Sequence, residues 1–296
     1  MNAGKVMNAL EGRPFFKMNG IGNKIIVLDL RGADVPVSAG EARAIGRAPE
    51  LAFDQLMVIH EPQRAGSAGQ LEIFNIDGSL SGACGNGTRC VAWAVLRDSA
   101  RDDVVLESAA GQLECHREGP WRFRVDMGVP AFGWQEIPLA FEIADTGAIL
   151  LSDPPPAAAG LPAFCAVNMG NPHAVFFVDD PEAYDLAATG TAVEHHPLFP
   201  QKVNMSLARV NGSDTIGLKV WERGAGATLA CGSAACATLV AAVKRGLCSR
   251  KATVSLPGGD LVIEWRESDG HVLMTGDVEL EFEGCFDSAI FRTANV

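Results

Sequence analysis

Basic residues are scarce in this 296-residue chain: 24 lysines and arginines stand against 36 aspartates and glutamates, a formal net charge of −12. No basic run or basic amphipathic helix makes up that deficit. A nucleic-acid or membrane-surface role is therefore excluded, although a local cationic site for an anionic ligand is not. The sequence also lacks an apolar N-terminal core of the signal-peptide kind and any hydrophobic run long enough to span a bilayer. Cytoplasmic residence with reduced thiols is the expectation. Although there are eight cysteines, none stands in the close Cys-x-x-Cys spacing of a zinc knuckle or a local redox pair. With 48% hydrophobic residues, a chain of this length needs no disulfide framework. Most of the cysteines are expected to be buried small hydrophobes.

What the chain does contain is an echo. Ala83-Cys84-Gly85-Asn86 returns as Ala230-Cys231-Gly232-Ser233, 147 positions later. Other landmarks keep nearly the same offset of 148: Gly22-Asn23 with Gly170-Asn171, Gly78 with Gly226, Gly111-Gln112-Leu113 with Gly259-Asp260-Leu261, and Gly128 with Gly276. A period this long implies two similar lobes rather than a solenoid. The run Asp153-Pro154-Pro155-Pro156-Ala157-Ala158-Ala159-Gly160 near the midpoint reads as a loop or linker.

Hydrophobic patterning supplies the elements. Strands are expected at Phe15–Met18 and Ile25–Leu28 around a turn, then at Gln55–Ile59 and Leu71–Asn75, with a helix over Ser38–Ile45. A second helix runs from about Asn86 to Arg97, followed by antiparallel strands at Val104–Ser108, Gln112–Arg117 and Trp121–Met127. The second half repeats the plan, with strands at Phe164–Val167, Ala174–Val178, Asn204–Val210 and Ile216–Trp221 and one main helix over Ser233–Lys244. Short strands with one main helix per half define an α+β class.

Each echoed cysteine opens a helix. Helix N-termini carry unpaired N–H groups and a positive dipole end, which lower a thiol's pKa and bind carboxylates. Cys84 and Cys90 are six residues apart and Cys231 and Cys236 five, so each pair lies on different faces of its helix. No metal is expected. A covalent cysteine hydrolase could recruit His173, but it leaves the second Cys-Gly motif unused. A cross-cleft disulfide between Cys84 and Cys231 would be an inactivating accident. The reading that uses both motifs is proton exchange at an amino-acid α-carbon, with one thiolate removing a proton and the opposing thiol delivering another. Helix ends would stabilise the developing carbanion at the substrate carboxylate. No cofactor is called for, because neither motif has a lysine for a pyridoxal Schiff base.

Several blocks, taken in order, resemble the diaminopimelate epimerase family. They are Lys17-Met18-Asn19-Gly20-Ile21-Gly22-Asn23, Phe53-Asp54-Gln55-Leu56, Phe74-Asn75-Ile76-Asp77-Gly78-Ser79 and Cys84-Gly85-Asn86-Gly87-Thr88-Arg89-Cys90. In the second half they are Met169-Gly170-Asn171-Pro172-His173, Val203-Asn204, Glu222-Arg223-Gly224-Ala225-Gly226 and Ala230-Cys231-Gly232-Ser233. The resemblance implies a pyridoxal-independent isomerase that interconverts LL- and meso-diaminopimelate for lysine and peptidoglycan biosynthesis. Cys84 and Cys231 would be its acid/base pair. Gly85, Asn86, Gly232 and Ser233 would hold the reacting carboxylate, and Asn23, Gln55, Asn75, Asn171, Asn204, Glu222 and Arg223 would line the rest. Arg223 would meet the distal carboxylate, while His173 and Glu222 would modulate the thiols.

The implied fold is a pair of pseudo-symmetric lobes, each a curled, mostly antiparallel sheet around a central helix, with the active site in the cleft between them. The N-terminal lobe would cover 1–126, completed by about 277–296 because the final strand returns to it, and the C-terminal lobe 127–276. The partner expected is a small amino-acid substrate, not nucleic acid or a membrane; an assembly of two copies is left open. The chain departs from the family pattern at Lys24, Pro49-Glu50-Leu51-Ala52, Ala227 and Ala234. None of these removes a proposed catalytic group, and Lys24 and Ala227 bear on substrate preference or rate.

Overall fold

The computed structural model describes residues 8–109 and 111–292. The chain divides into two compact units. One takes the chain through Val125 and again from Asp277 onward, and the other is the continuous stretch Asp126–Gly276.

In the first lobe, β1 (Pro14–Gly20) and β2 (Asn23–Asp29) form a hairpin, and α1 (Ala39–Arg47) carries the chain to β3 (Gln55–His60), parallel to β2. Next, β4 (Gln70–Asn75) runs antiparallel to β3, and the short β5 (Leu80–Ser81) folds back on β4. Helix α2 (Gly85–Leu96) crosses to β6 (Asp103–Ser108), parallel to β4, before β7 (Gly111–Gly119) and β8 (Arg122–Asp126) complete an antiparallel meander.

The second lobe repeats this order without omission. A hairpin of β9 (Phe164–Asn168) and β10 (Pro172–Phe177) leads through α3 (Leu186–Glu194) to β11 (Asn204–Gly212), parallel to β10. Then come antiparallel β12 (Thr215–Glu222) and short β13 (Gly226–Ala227). Helix α4 (Gly232–Lys244) crosses to β14 (Lys251–Leu256), parallel to β12, followed by β15 (Gly259–Trp265) and β16 (Val272–Asp277). The chain then returns as β17 (Glu279–Cys285), which pairs antiparallel with β1 in the first lobe.

Composition explains the central helices. Every residue of α2 from Asn86 to Trp93 is buried, as is every residue of α4 from Ala234 to Ala242. A helix apolar on nearly all sides must be enclosed, and the small side chains of α4 let the sheet curl closely around it; α2 is enclosed as well, with Asn86, Thr88 and Arg89 among its buried residues. Helix α2 packs on β1, β2, β3, β6 and β7, while α4 packs on β9, β10, β11, β12, β14 and β15. The peripheral α1 starts at a capping box, in which Ser38 accepts from Glu41 N–H and the Glu41 carboxylate accepts from Ser38 N–H. It ends at Arg47 because Ala48 precedes Pro49 and is extended.

The echoed glycines have a conformational reason. Gly22 and Gly170 (φ 94° and 89°), Gly78 and Gly226 (81° and 85°) and Gly111 and Gly259 (130° and 143°) occupy matching left-handed backbone positions that side chains disfavour. Gly128 and Gly276 do not match in this way. Gly128 follows β8 with φ 79°, whereas Gly276 lies inside β16.

Two further expectations hold only in part. The Pro/Ala-rich run 153–160 is a loop, as expected, but no connection between lobes. It lies within the second, where Pro156–Ala158 form a short 3-10 turn and Ala157 O accepts from Thr189 Oγ1 at 3.0 Å. In the second half α4 is the main helix, but the sequence reading did not anticipate α3. Helix α3 forms despite its Thr-Gly-Thr centre, because the Asp185 carboxylate caps the Ala187 and Ala188 N–H groups and Gly190 seats the Trp221 ring.

Candidate active site

Both thiols stand at helix N-termini, at corresponding points of the two lobes. Cys84 is the N-cap of α2 in extended conformation, and its sulfur accepts from Gly87 N–H at 3.3 Å. Its thiol donates to Gln55 Oε1 at 3.5 Å. Gln55 opens β3 and faces Asn75 at the end of β4. Asn23, at the start of β2, donates to Gln55 Oε1 and to Asp54 Oδ2, each at 3.4 Å, and accepts from Asn86 Nδ2 at 2.6 Å. One connected polar group therefore holds Cys84, Gln55, Asn23 and Asn86. Asn86 is 3% exposed, and its Oδ1 has no hydrogen-bond partner among the described residues. Gly20 allows this approach, since a Cβ there would lie 3.2 Å from Asn86 O. Asn75 belongs to a separate small turn, donating to Ser79 Oγ at 3.0 Å.

In the second lobe Cys231 is the N-cap of α4, is 6% exposed and lies 3.5 Å from Ser233 Oγ. The expectation that a helix N-terminus lowers the thiol's pKa does not hold here. Burial pushes Cys231 well above the ordinary value, and the Glu222 carboxylate pushes it further, outweighing Ser233 and Ala234 N–H. A buried sulfur beside a carboxylate retains its proton. Glu222 closes β12 and accepts from Thr228 Oγ1. The backbone N–H of Arg223 donates to Asn204 Oδ1 at 2.9 Å, and its Nη1 donates to Gln201 O at 3.0 Å. Asn204 also donates to Pro172 O at 2.9 Å, so both ends of its buried amide tie backbone together.

His173 faces Asn204 across the β10–β11 pair, and its Nε2 meets Asn171 Oδ1 at 2.8 Å rather than a thiol. Burial first, and the charge of Arg223 second, push its pKa down to about 3. The ring is therefore neutral over the ordinary pH range, with Nδ1 buried and unpartnered among the described residues.

The repeat sets these residues in parallel. Asn23, Gln55, Asn75, Cys84 and Asn86 hold the places in the first lobe that Asn171, Asn204, Glu222, Cys231 and Ser233 hold in the second. Gly85 and Gly232 begin the two helices. The lobes differ chemically beside the sulfur, with a neutral amide at Cys84 and a carboxylate at Cys231.

Sequence reasoning missed three supporting residues. Asp54 accepts from Lys24 N–H at 2.8 Å and from Asn23; its place next to Gln55 was the available signal. Buried Lys17 donates from Nζ to Ala52 O, with its pKa lowered chiefly by desolvation. Buried Glu194 accepts from Trp221 Nε1 at 2.7 Å and from Gly224 N–H at 3.1 Å. Neither Lys17 nor Glu194 carries a local sequence signal for its contact.

Solved structures with similar folds include a probable proline racemase from Agrobacterium radiobacter K84 (TM-score 0.68, 14% identity, 96% of this chain and 95% of that one). Another is a phenazine biosynthesis protein of the PhzF family from Enterococcus faecalis (TM-score 0.67, 17% identity, 92% and 98%). The fold is therefore the two-lobed α+β fold of these proteins. Sequence then narrows it. The family model for diaminopimelate epimerase matches residues 15–133 and 165–281. Relatives named diaminopimelate epimerase are 58% identical in Methylocella silvestris (97% of this chain, 99% of the relative) and 55% identical in Methylobacterium sp. strain 4-46 (97% and 100%). The chain belongs to the diaminopimelate epimerase family.

Proposed function

We propose that this protein interconverts LL- and meso-2,6-diaminopimelate without a cofactor, by acid/base exchange of one α-proton between Cys84 and Cys231. The observation that carries this reading is the duplicated placement of a cysteine at a helix N-terminus, at the same point of each lobe. In each direction one thiolate takes the α-proton and becomes a thiol, while the other thiol gives its proton to the opposite face and becomes a thiolate. The configuration inverts and nothing is consumed. Protonated Cys231 suits the proton donor in one direction, since burial and Glu222 both favour its neutral form.

The N–H groups opening α2 and α4, at Gly85-Asn86 and Gly232-Ser233, are the donors for the reacting carboxylate, where carbanion charge delocalises. Asn86 Oδ1, buried and without a partner among the described residues, is an acceptor suited to the substrate ammonium. Arg223 takes the distal carboxylate, Asn23, Gln55, Asn75, Asn171 and Asn204 surround the substrate, and Glu222 sets the state of Cys231. The product serves lysine and peptidoglycan precursors. A cytoplasmic setting, which keeps thiols reduced, suits the mechanism.

The test is incubation of reduced protein with LL-diaminopimelate in D₂O, free of pyridoxal phosphate, followed by chiral chromatography and mass spectrometry. Meso product carrying α-deuterium is expected from the native protein. Cys84→Ala and Cys231→Ala should each lose at least about 10²–10⁴-fold in rate while remaining folded. Substantial turnover in either variant would refute the two-thiol reading.

A further inference from the structure

Glu194 ends α3, far in sequence from the site residues, yet it is 3% exposed and bears a charge. A buried carboxylate must be answered by donors, and here they come from the strand end that carries Glu222 and Arg223. Oε2 accepts from Trp221 Nε1 at 2.7 Å, Oε1 accepts from Gly224 N–H at 3.1 Å, and Lys202 Nζ lies 3.4 Å from Oε1. Burial works against the charge, but these donors outweigh it and hold the carboxyl below its usual range. The residues bonded are the immediate neighbours of the Glu222-Arg223 pair, one on each side. Helix α3 is built to make this contact. Gly190, one turn before Glu194 on the same helix face, leaves room for the Trp221 ring, whose atoms a Cβ there would approach to 2.3 Å.

We infer that Glu194 is a positioning residue for the reaction, clamping both flanks of Glu222-Arg223 so that Arg223 is presented to the substrate and Glu222 to Cys231. What Arg223 and Glu222 do rests on the reading above; the clamp itself does not. Gln is the discriminating substitution, because it preserves volume but turns one acceptor oxygen into a donor. A donor would then face a donor at either Trp221 Nε1 or Gly224 N–H, and one flank of the turn would be released.

The experiment compares native protein with Glu194→Gln in two measurements. The first is KM and kcat for LL-diaminopimelate. The second is the pH titration of the Cys231 β-carbon in protein labelled with ¹³C-cysteine, assigned by its loss in Cys231→Ala. Release should raise KM about tenfold and move the Cys231 titration about one unit toward lower pH, because the carboxylate that raises the thiol's pKa is no longer held beside it. A native value for either measurement, in a variant with native circular dichroism, overturns the proposal. If Glu194→Gln does not fold, Trp221→Phe removes the Nε1 donor from the other side, and the same two results decide. If the native protein shows no turnover, the functional reading fails, and the Cys231 titration alone decides the clamp.

Discussion

At the residue scale, His173 shows how burial converts an ionisable group into a neutral one. Its imidazole is fully buried with a pKa pushed down to about 3, whereas an unfolded chain leaves it near 6.5. Between those values the unfolded state binds the extra proton, so stability falls as pH drops below about 6.5. Going from pH 6.5 to 5 should cost about 1.5 kcal/mol through this residue alone. Urea unfolding of native protein and His173→Gln at the two pH values checks the sign and size. The native protein should lose more stability than the variant, and equal losses would show that the ring is protonated when folded. The same physics reversed the sequence expectation for Cys231. The Ser233 side chain and the Ala234 N–H act in the direction anticipated, but desolvation and Glu222 dominate.

At the element scale, α2 and α4 were legible because each begins with a distinctive Cys-Gly step and continues as an apolar run. Helix α3 was not, since its centre contains glycine and its stability comes from contact. Gly190 on α3 faces the Trp221 ring of β12, and a Cβ would come within 2.3–2.6 Å of three ring or linker atoms. A rigid indole cannot give way as a methionine can. Gly190→Ala should therefore overpack the α3–β12 contact and destabilise the protein by about 1–3 kcal/mol, seen as a lower urea midpoint. An unchanged midpoint would show that helix and ring separate freely. The echoed Gly22/Gly170, Gly78/Gly226 and Gly111/Gly259 pairs were readable for the opposite reason: positive φ is a local demand that sequence records directly.

For the whole molecule, the chain is not divided evenly. The second lobe is one continuous segment with its own strand set and central helix, whereas the first uses β17 from the far end of the chain. Beyond that strand, the Phe286 ring stacks on Phe15 of β1 with centroids 4.7 Å apart. A fragment comprising 126–276 should fold alone and melt cooperatively by circular dichroism. The segment 8–125 should not, because β1 would lose its outer partner and Phe15 its apolar cover. A cooperative melt for 8–125 would show that β17 is dispensable.

The sequence by itself determined the duplication, the α+β class, the strand–helix order around both motifs and the positions of the two thiols. These depend on periodicity, turn chemistry and spacing, all of which are local. Tertiary structure alone decided the register of β17 on β1, that α3 exists, that Asn204 ties two backbone segments together and that Glu194 grips both sides of Glu222-Arg223. It also decided that burial and Glu222 raise the pKa of Cys231. Each of these depends on burial or on groups distant in sequence, and the free energy of a charge or a hydrogen bond is set by the surroundings that folding supplies.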